Sequence, residues 1–308
     1  MKLAFLYAGQ GSQHAGMGKD LYQLPEFAAV LDSVQLDFDL KTLCFEGPEE
    51  TLAQTRYTQP CMVAFACGVT ALLAAEGIRP DAAAGLSLGE YSALACAEVF
   101  TPSQAISLAA FRGDAMAKAV QGRPCGMTAV LGLDREKLAA CCAEAADKGV
   151  CEIANYNCPG QLVIAGDEAA VTAAGELAKA AGARRCVPLK VSGPFHTSLM
   201  APAGQALEER FAGETFGAEQ LPVVFNCLGR TRTAEEEIPA LLVRQVQSSV
   251  YFEDSIRWLE ENGFDTVVEI GPGKALSAFV KKTAKSIRVL NVEDIPSLQA
   301  TLAALKGE

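Results

Sequence analysis

The chain has 308 residues, 50% of them hydrophobic, and a formal net charge of −11. This length permits one large domain or two modest ones, and the hydrophobic share is ample for a buried core. The negative charge argues against broad nucleic-acid binding, although a local basic patch can still hold an anionic ligand. No apolar run reaches the roughly 18 residues of a membrane helix, and residues 2–8 are too short for a signal-peptide core. We therefore expect a cytoplasmic protein that binds neither nucleic acid nor membranes.

The eleven cysteines indicate neither disulfides nor a metal site. Their number is odd, many lie in apolar segments, and no CxxC motif occurs. Because the chain has only two histidines, a zinc site built from cysteine and histidine is short of ligands. Buried free thiols that act as small hydrophobic side chains explain the pattern best, so we expect no structural metal.

The start of the chain alternates short strands with helices. Apolar runs and glycine-rich turns predict a strand at 2–8, a loop at 9–16, a long helix at 61–76, a segment at 79–87 that leads into a turn, and a helix at 91–97. This alternation predicts an α/β fold with a mostly parallel sheet.

Residues 124–189 break the rhythm, because two neighbouring strands there are joined by a turn. The pattern predicts four strands and two helices, at 127–132 (strand), 134–148 (helix), 151–156 and 161–166 (strands), 167–181 (helix) and 184–190 (strand). The order βαββαβ is that of a ferredoxin-like unit. We therefore predict a small domain at 124–189, inserted into a large domain formed by 1–123 and 190–308.

After this segment, strands and helices alternate again. The remaining elements are predicted at 223–227 and 266–270 (strands), 275–285 (helix), 287–292 (strand) and 296–305 (helix). The glycines at 271 and 273 lack the spacing of a phosphate-binding loop, so they favour a plain strand-to-helix turn.

The pentapeptide GLSLG at residues 85–89 is the most informative motif. It matches GxSxG, a turn that exposes a serine between a strand and a helix. Free backbone N–H groups at the start of that helix can hold an oxyanion. Ser87 is therefore a candidate nucleophile, with an ordinary Gly-Ser turn as the alternative.

A serine nucleophile needs a base, and histidine is the usual one at neutral pH. The chain offers His14, in a glycine-rich loop, and His196, in a proline-containing loop just past an apolar run. Rigid loops often place functional side chains, which favours His196 over His14.

Seven short motifs span nearly the whole chain: GQGSQ at 9–13, GLSLGEY at 85–91, FRG at 111–113, NYNCPGQ at 155–161, PFH at 194–196, QV at 245–246 and EIGPG at 269–273. Together and in this order they resemble the malonyl-CoA:acyl carrier protein transacylases of type II fatty acid synthesis and the acyltransferase domains of polyketide synthases. The resemblance implies a hydrolase-like α/β core that carries a ferredoxin-like insertion.

The resemblance also implies a ping-pong transfer of malonyl groups. Ser87 would attack the thioester of malonyl-CoA, and His196 would take its proton and give it to the departing thiolate. Backbone N–H groups of Gln10 and Leu88 would form the oxyanion hole. The phosphopantetheine thiol of an acyl carrier protein would then accept the malonyl group, with no metal or other cofactor.

Two more site residues follow from the resemblance. Arg112 would bind the malonyl carboxylate through two parallel hydrogen bonds. From the residues alone, a surface or salt-bridged arginine is an equal alternative. No acidic residue with a recognisable signature orients the histidine; in the family a backbone carbonyl does so, and the matching residue is Gln245. Basic stretches at 179–190 and 281–288 suit an acidic carrier protein, or are ordinary solvated helix ends.

The chain departs from the family pattern in two places. Leu86 stands where many members have histidine, which puts in doubt a role for the residue before the nucleophile. Ser248 and Ser249 stand in a segment where proline is frequent, and Phe195 resembles the malonyl-selective subgroup.

Three alternative functions stay open: a trans-acting polyketide acyltransferase, a serine esterase or thioesterase, and a non-catalytic module that binds carrier proteins. Arg112 and the missing triad acid argue against a hydrolase.

Overall fold

The structure, a computed structural model, describes residues 1–191 and 193–307. The strands in these residues are β1 (Leu3–Tyr7), β2 (Ala82–Gly85), β3 (Cys125–Leu131), β4 (Cys151–Cys158), β5 (Gln161–Asp167), β6 (Arg185–Pro188), β7 (Val223–Phe225), β8 (Arg230–Thr231), β9 (Thr266–Ile270) and β10 (Arg288–Val292). The helices are α1 (Pro25–Asp32), α2 (Leu40–Glu46), α3 (Glu49–Leu52), α4 (Thr55–Ala75), α5 (Gly89–Cys96), α6 (Pro102–Ala119), α7 (Arg135–Glu144), α8 (Glu168–Ala180), α9 (Ala201–Phe211), α10 (Ile238–Val246), α11 (Phe252–Glu261), α12 (Ala275–Thr283) and α13 (Ile295–Lys306). Short 3₁₀ helices lie at Leu21–Gln23, Ala145–Lys148 and Ser198–Met200.

The chain divides into two compact units. The first comprises Met1–Gly113, Thr215–Phe225 and the residues from Ile256 onward. The second comprises Asp114–Glu214 and Asn226–Ser255. These units group residues that contact one another. The predicted domain bounds, 124–189 for the small domain and 1–123 with 190–308 for the large one, stay a prediction.

A parallel sheet forms the centre of the first unit. Five of its strands run in the order β10-β9-β1-β2-β7, and each neighbouring pair is parallel. Every residue of β1, β2, β7 and β9 is buried, as expected where helices cover both faces of a parallel sheet. Apart from Thr266 and Glu269 in β9, these strands consist of hydrophobic residues and glycine. The sheet confirms the predicted α/β class.

Helix α4 corrects one expectation from the sequence. It begins at Thr55, earlier than predicted, and over 21 residues it is long and apolar enough to cross a membrane. However, 78% of its most apolar window is buried inside the fold. Phe65 on α4 packs edge to face against Phe27 of α1, with ring centroids 5.8 Å apart. We therefore interpret α4 as a core helix.

The second unit contains an antiparallel sheet with the order β4-β5-β3-β6. Helices α7 and α8 pack on it around a core that includes Val130, Leu138, Ile164 and Val171. Helix α7 begins where predicted, because the Asp134 side chain accepts a hydrogen bond from the free N–H at the first turn of the helix. The chain order β3-α7-β4-β5-α8-β6 confirms the predicted βαββαβ arrangement.

Two helical glycines provide a test of how closely α6 approaches α4. At Gly113, in α6, an added Cβ would lie 2.7 Å from the carbonyl oxygen of Thr55. At Gly175, in α8, an added Cβ would meet nothing within 4 Å outside its own helix backbone. We expect Gly113→Ala to lower the free energy of unfolding by roughly 1–3 kcal/mol through overpacking, and Gly175→Ala to raise it by about 0.5–1 kcal/mol. Urea denaturation measures both, and a stabilised Gly113→Ala variant would contradict the close approach.

Candidate active site

Ser87 lies in a sharp turn between β2 and α5. Its backbone is left-handed, with a φ of 54°, and among the described residues only Glu98 and His196 share this property without being glycine. Such a backbone costs of order 1–3 kcal/mol at each residue and persists only where surrounding contacts enforce it. The two candidate catalytic residues are thus two of the three strained positions.

The glycines of the GLSLG motif are required by close backbone approach. A Cβ at Gly85 would lie 2.0 Å from the carbonyl carbon of Gly89, and a Cβ at Gly89 would lie 2.2 Å from the carbonyl oxygen of Tyr7. Side chains at these positions would separate α5 from the ends of β1 and β2. The strand-to-helix turn predicted from GxSxG is therefore present, with Ser87 at its tip.

The loop after β1 lies directly against this turn. The N–H of Leu86 donates to the carbonyl oxygen of Tyr7 over 3.0 Å, and a Cβ at Gly9 would lie 2.5 Å from the carbonyl oxygen of Leu86. Gln10 follows in the same loop, where its side-chain Nε2 donates to Thr55 Oγ1. Within residues 1–191 and 193–307, the backbone N–H groups of Gln10 and Leu88 have no hydrogen-bond partner. Both can therefore donate to a further acceptor.

Arg112 extends from α6 and is completely buried. Its Nη2 donates to Ser87 Oγ over 3.3 Å, and its Nη1 donates to Gln59 Oε1 over 2.9 Å. The guanidinium also lies over the ring of Tyr91, 5.6 Å from the centroid. The alternative of a surface arginine is therefore wrong, and the two hydrogen bonds described here run to neutral side chains in the core.

The charge of Arg112 persists in this buried environment. Burial lowers the pKa of the guanidinium, while nearby Tyr91 and Glu90 raise it. An arginine pKa starts high enough that the group stays protonated at neutral pH. A positive charge therefore lies beside the hydroxyl of Ser87, in a place where it can bind an anionic group.

Sequence reasoning missed Gln59, which holds one edge of the Arg112 guanidinium. Gln59 lies in α4, is 1% exposed, and stands within a segment that reads simply as helix. A glutamine in a helical pattern carries no chemical signature, and its role depends on α6 bringing Arg112 alongside. Only the fold provides that information.

His196 and Gln245 lie in the second unit. His196 is 3% exposed, and its backbone φ is 61°. Its Nδ1 lies 2.9 Å from the carbonyl oxygen of Gln245, at the end of α10. Because a carbonyl oxygen can only accept, Nδ1 carries the proton, and in the neutral form of the ring the lone pair lies on Nε2. This tautomer is the one that can accept a proton at Nε2.

The other histidine has a different environment. His14 is exposed in the loop after β1, and its Nδ1 contacts the carbonyl oxygen of the next residue, Ala15, at 3.0 Å. The structure thus brings Ser87 together with Arg112, and His196 together with Gln245. The pairing of Ser87 with His196 stays a prediction.

Known proteins resemble this chain along its entire length. The family described as Acyl transferase domain matches residues 4–304. The malonyl CoA-acyl carrier protein transacylase of Bacillus subtilis (strain 168) is 40% identical over 311 residues, with 100% of this chain and 98% of the relative covered. The crystal structure of malonyl CoA-acyl carrier protein transacylase from Clostridium perfringens is 39% identical, with a TM-score of 0.96 over 100% of this chain and 98% of that chain.

A further solved structure contains a type II PKS acyl-carrier protein in complex with its malonyl-transacylase. It is 38% identical, with a TM-score of 0.95, and covers 100% of both chains. These matches agree with the strand-turn-helix at Ser87 and the two-sheet architecture. The chain belongs to the acyl transferase family.

Proposed function

We propose that the protein transfers the malonyl group from malonyl-CoA to the phosphopantetheine thiol of an acyl carrier protein and so supplies fatty acid synthesis. The observation that carries this proposal is the buried guanidinium of Arg112, 3.3 Å from Ser87 Oγ. A hydroxyl next to a fixed positive charge suits an acyl group with an anionic far end. Two of the relatives bear names that describe this same transfer.

In the first half-reaction, Ser87 Oγ attacks the thioester carbon of malonyl-CoA. The hydroxyl proton moves to His196 Nε2, and the negative charge that develops on the carbonyl oxygen is bound by the N–H groups of Gln10 and Leu88. The carbon–sulfur bond then breaks, and the imidazolium returns the proton to the departing CoA thiolate. The product is a malonyl ester of Ser87, with a neutral histidine.

Arg112 selects the acyl group by its length and charge. In a malonyl-serine ester the carboxylate carbon is three bonds, each about 1.5 Å, from Oγ. Since Arg112 Nη2 already lies 3.3 Å from Oγ, the guanidinium is within reach of that carboxylate. An acetyl ester has no such group and leaves the guanidinium without an anion, which is costly in a buried site.

In the second half-reaction, the phosphopantetheine thiol of the carrier protein takes the place of CoA. His196 Nε2 accepts the thiol proton, the thiolate attacks the ester carbon, and the Ser87 oxygen leaves and recovers the proton. Gln245 holds the ring through Nδ1 throughout, so Nε2 stays the atom that accepts and returns the transferred proton. After both half-reactions Ser87 is again a free hydroxyl and His196 is again neutral, so the enzyme is ready for the next cycle.

We propose further that no metal or organic cofactor takes part, because Ser87, His196 and Arg112 supply the nucleophile, the base and the carboxylate-binding group. We also propose a cytoplasmic location. All eleven cysteines of the chain are free. Free thiols in this number are typical of a reducing compartment.

The acyl-enzyme intermediate can be detected directly. We expect brief incubation with malonyl-CoA, followed by intact-mass measurement, to give a single malonyl adduct that Ser87→Ala abolishes. Ser92→Ala, which changes a neighbouring serine on α5, should retain the adduct. Rapid release of free malonate without carrier protein would instead indicate a hydrolase, and an adduct that survives in Ser87→Ala would disprove the proposed nucleophile.

The role of Arg112 can be separated from general stability. We expect Arg112→Ala to lower kcat/KM for malonyl-CoA by about 100-fold, because a hydrogen-bonded charge pair is lost, while acylation by acetyl-CoA falls much less. Arg56→Ala is a suitable control, since that arginine is partly exposed and pairs with Asp37. An unaltered preference for malonyl over acetyl groups would contradict the assignment.

Carrier-protein docking can be tested on the basic stretch around β6. Arg184 and Arg185 are both exposed, and acyl carrier proteins are acidic. We expect Arg184→Glu with Arg185→Glu to raise the KM for the carrier protein about tenfold and to weaken its dependence on salt. The matched control reverses Lys137 and Lys148, which pair with aspartates in the same unit. Equal KM values in the two double variants would exclude this docking face.

One comparison favours a second candidate function. The solved structure of one relative is a complex with a type II PKS acyl-carrier protein, so delivery of malonyl groups to polyketide synthesis is the alternative. The chemistry at Ser87 is the same in both cases, and only the acceptor differs. The ratio of kcat/KM for fatty-acid and polyketide carrier proteins distinguishes them.

A further inference from the structure

The loop that carries His196 needs support from outside itself. Within the loop, Thr197 Oγ1 donates to the carbonyl oxygen of Pro194 over 2.6 Å. This short-range bond closes the turn but does not fix it to the rest of the unit. Because the φ of His196 is 61°, the chain gains by relaxing here unless neighbouring elements oppose it.

Glu152, on β4, provides such a contact two residues after the histidine. Its Oε2 accepts the N–H of Ser198 over 2.9 Å, and its Oε1 accepts the Ser198 hydroxyl over 2.5 Å. Ser198 opens the 3₁₀ helix Ser198–Met200, whose N-cap residue, Thr197, makes no side-chain capping bond. A carboxylate from another element therefore takes the place of the local cap, where the free N–H groups favour negative charge.

The same strand also holds the partner of the imidazole. The N–H of Val250 donates to the carbonyl oxygen of Ala154 over 2.8 Å, and the N–H of Tyr156 donates back to the carbonyl oxygen of Val250 over 2.9 Å. Ser249 Oγ donates to the carbonyl oxygen of Ile153 over 2.6 Å. Ser249 and Val250 follow the end of α10, at four and five residues after Gln245.

Strand β4 thus contacts the chain near each residue of the hydrogen bond between His196 Nδ1 and Gln245. Glu152 binds the chain two residues after the histidine, and residues 153–156 bind it four and five residues after Gln245. The geometry points to Glu152 as a positioning residue for His196, which keeps Nδ1 on the Gln245 carbonyl and Nε2 available. This inference rests on the proposed role of His196 as the base.

The contact between Glu152 and Ser198 is not required for the protein to fold. Ser198 is exposed, so water can satisfy its N–H and hydroxyl when the carboxylate is removed. We therefore expect Glu152→Ala to remain folded. In this variant the backbone next to His196 is no longer held in place by Glu152.

The two-histidine composition makes a direct test possible. In protein labelled with ¹⁵N-histidine, the imidazole spectrum contains two ring systems, His14 and His196. We expect Glu152→Ala to weaken the Nδ1–H signal of His196 and mix its tautomers, with His14 unchanged as the internal control. We also expect kcat to fall about tenfold, with the KM for malonyl-CoA nearly unchanged, because misplacement of a catalytic group affects chemistry more than binding.

Matched variants separate positioning from simple helix capping. Glu152→Gln keeps one acceptor oxygen and should restore part of both the His196 signal and kcat. Ser198→Ala keeps the backbone N–H bond alone, so it should fall between wild type and Glu152→Ala, and it decides the matter if Glu152→Ala does not fold. The double variant should be no worse than Glu152→Ala, since both changes remove one interaction. Glu144→Ala, which removes an exposed carboxylate on α7 in the same unit, should change nothing.

Failure of the Glu152 role and failure of the proposed function give different results. If folded Glu152→Ala has the wild-type His196 spectrum and the wild-type kcat, Glu152 has no positioning role. If His196→Ala keeps full transfer activity, the proposed function fails, whatever Glu152 does to the ring. The spectrum reports ring orientation without turnover, so it tests Glu152 in either case.

Discussion

The contact between Arg112 and Ser87 is the constraint around which the first unit is arranged. Burying a guanidinium without any exposed surface costs free energy. Arg112 is buried in this way, and its Nη2 lies 3.3 Å from the hydroxyl of Ser87. Gln59 and the face of Tyr91 hold the group in one orientation. The result is a fixed positive charge beside the Ser87 hydroxyl, which is the arrangement that the proposed selection of an anionic acyl group requires.

This arrangement requires close packing of backbone that glycine alone permits. Helix α6 brings Arg112 toward α4 through Gly113, and α5 meets the end of β1 through Gly89. Both contacts involve carbonyl oxygens, so a side chain could be accommodated only by moving whole elements apart. The distance between Arg112 and Ser87 therefore depends on the spacing between elements, and a shift of about 1 Å would separate the charge from the hydroxyl.

The sequence predicted the fold class and the local site elements because those depend on local patterns. The strand predicted at residues 266–270 matches β9, and the turn at Ser87 follows from its two glycines. Burial of Arg112, the role of Gln59 and the contacts of Glu152 with Ser198 could not be predicted. They join residues that are 46 or more positions apart, and each appears only once the sheets and helices are in place.

Leu86 shows how a departure from a family pattern can leave the backbone contacts of a turn intact. Its N–H donates to Tyr7, and its carbonyl oxygen lies against Gly9, so the contacts that shape the turn come from its backbone. Any residue except proline provides the same two backbone groups, so these contacts do not require a histidine before the serine. The close backbone approaches around Ser87 are made at Gly9, Gly85 and Gly89 and at the end of β1.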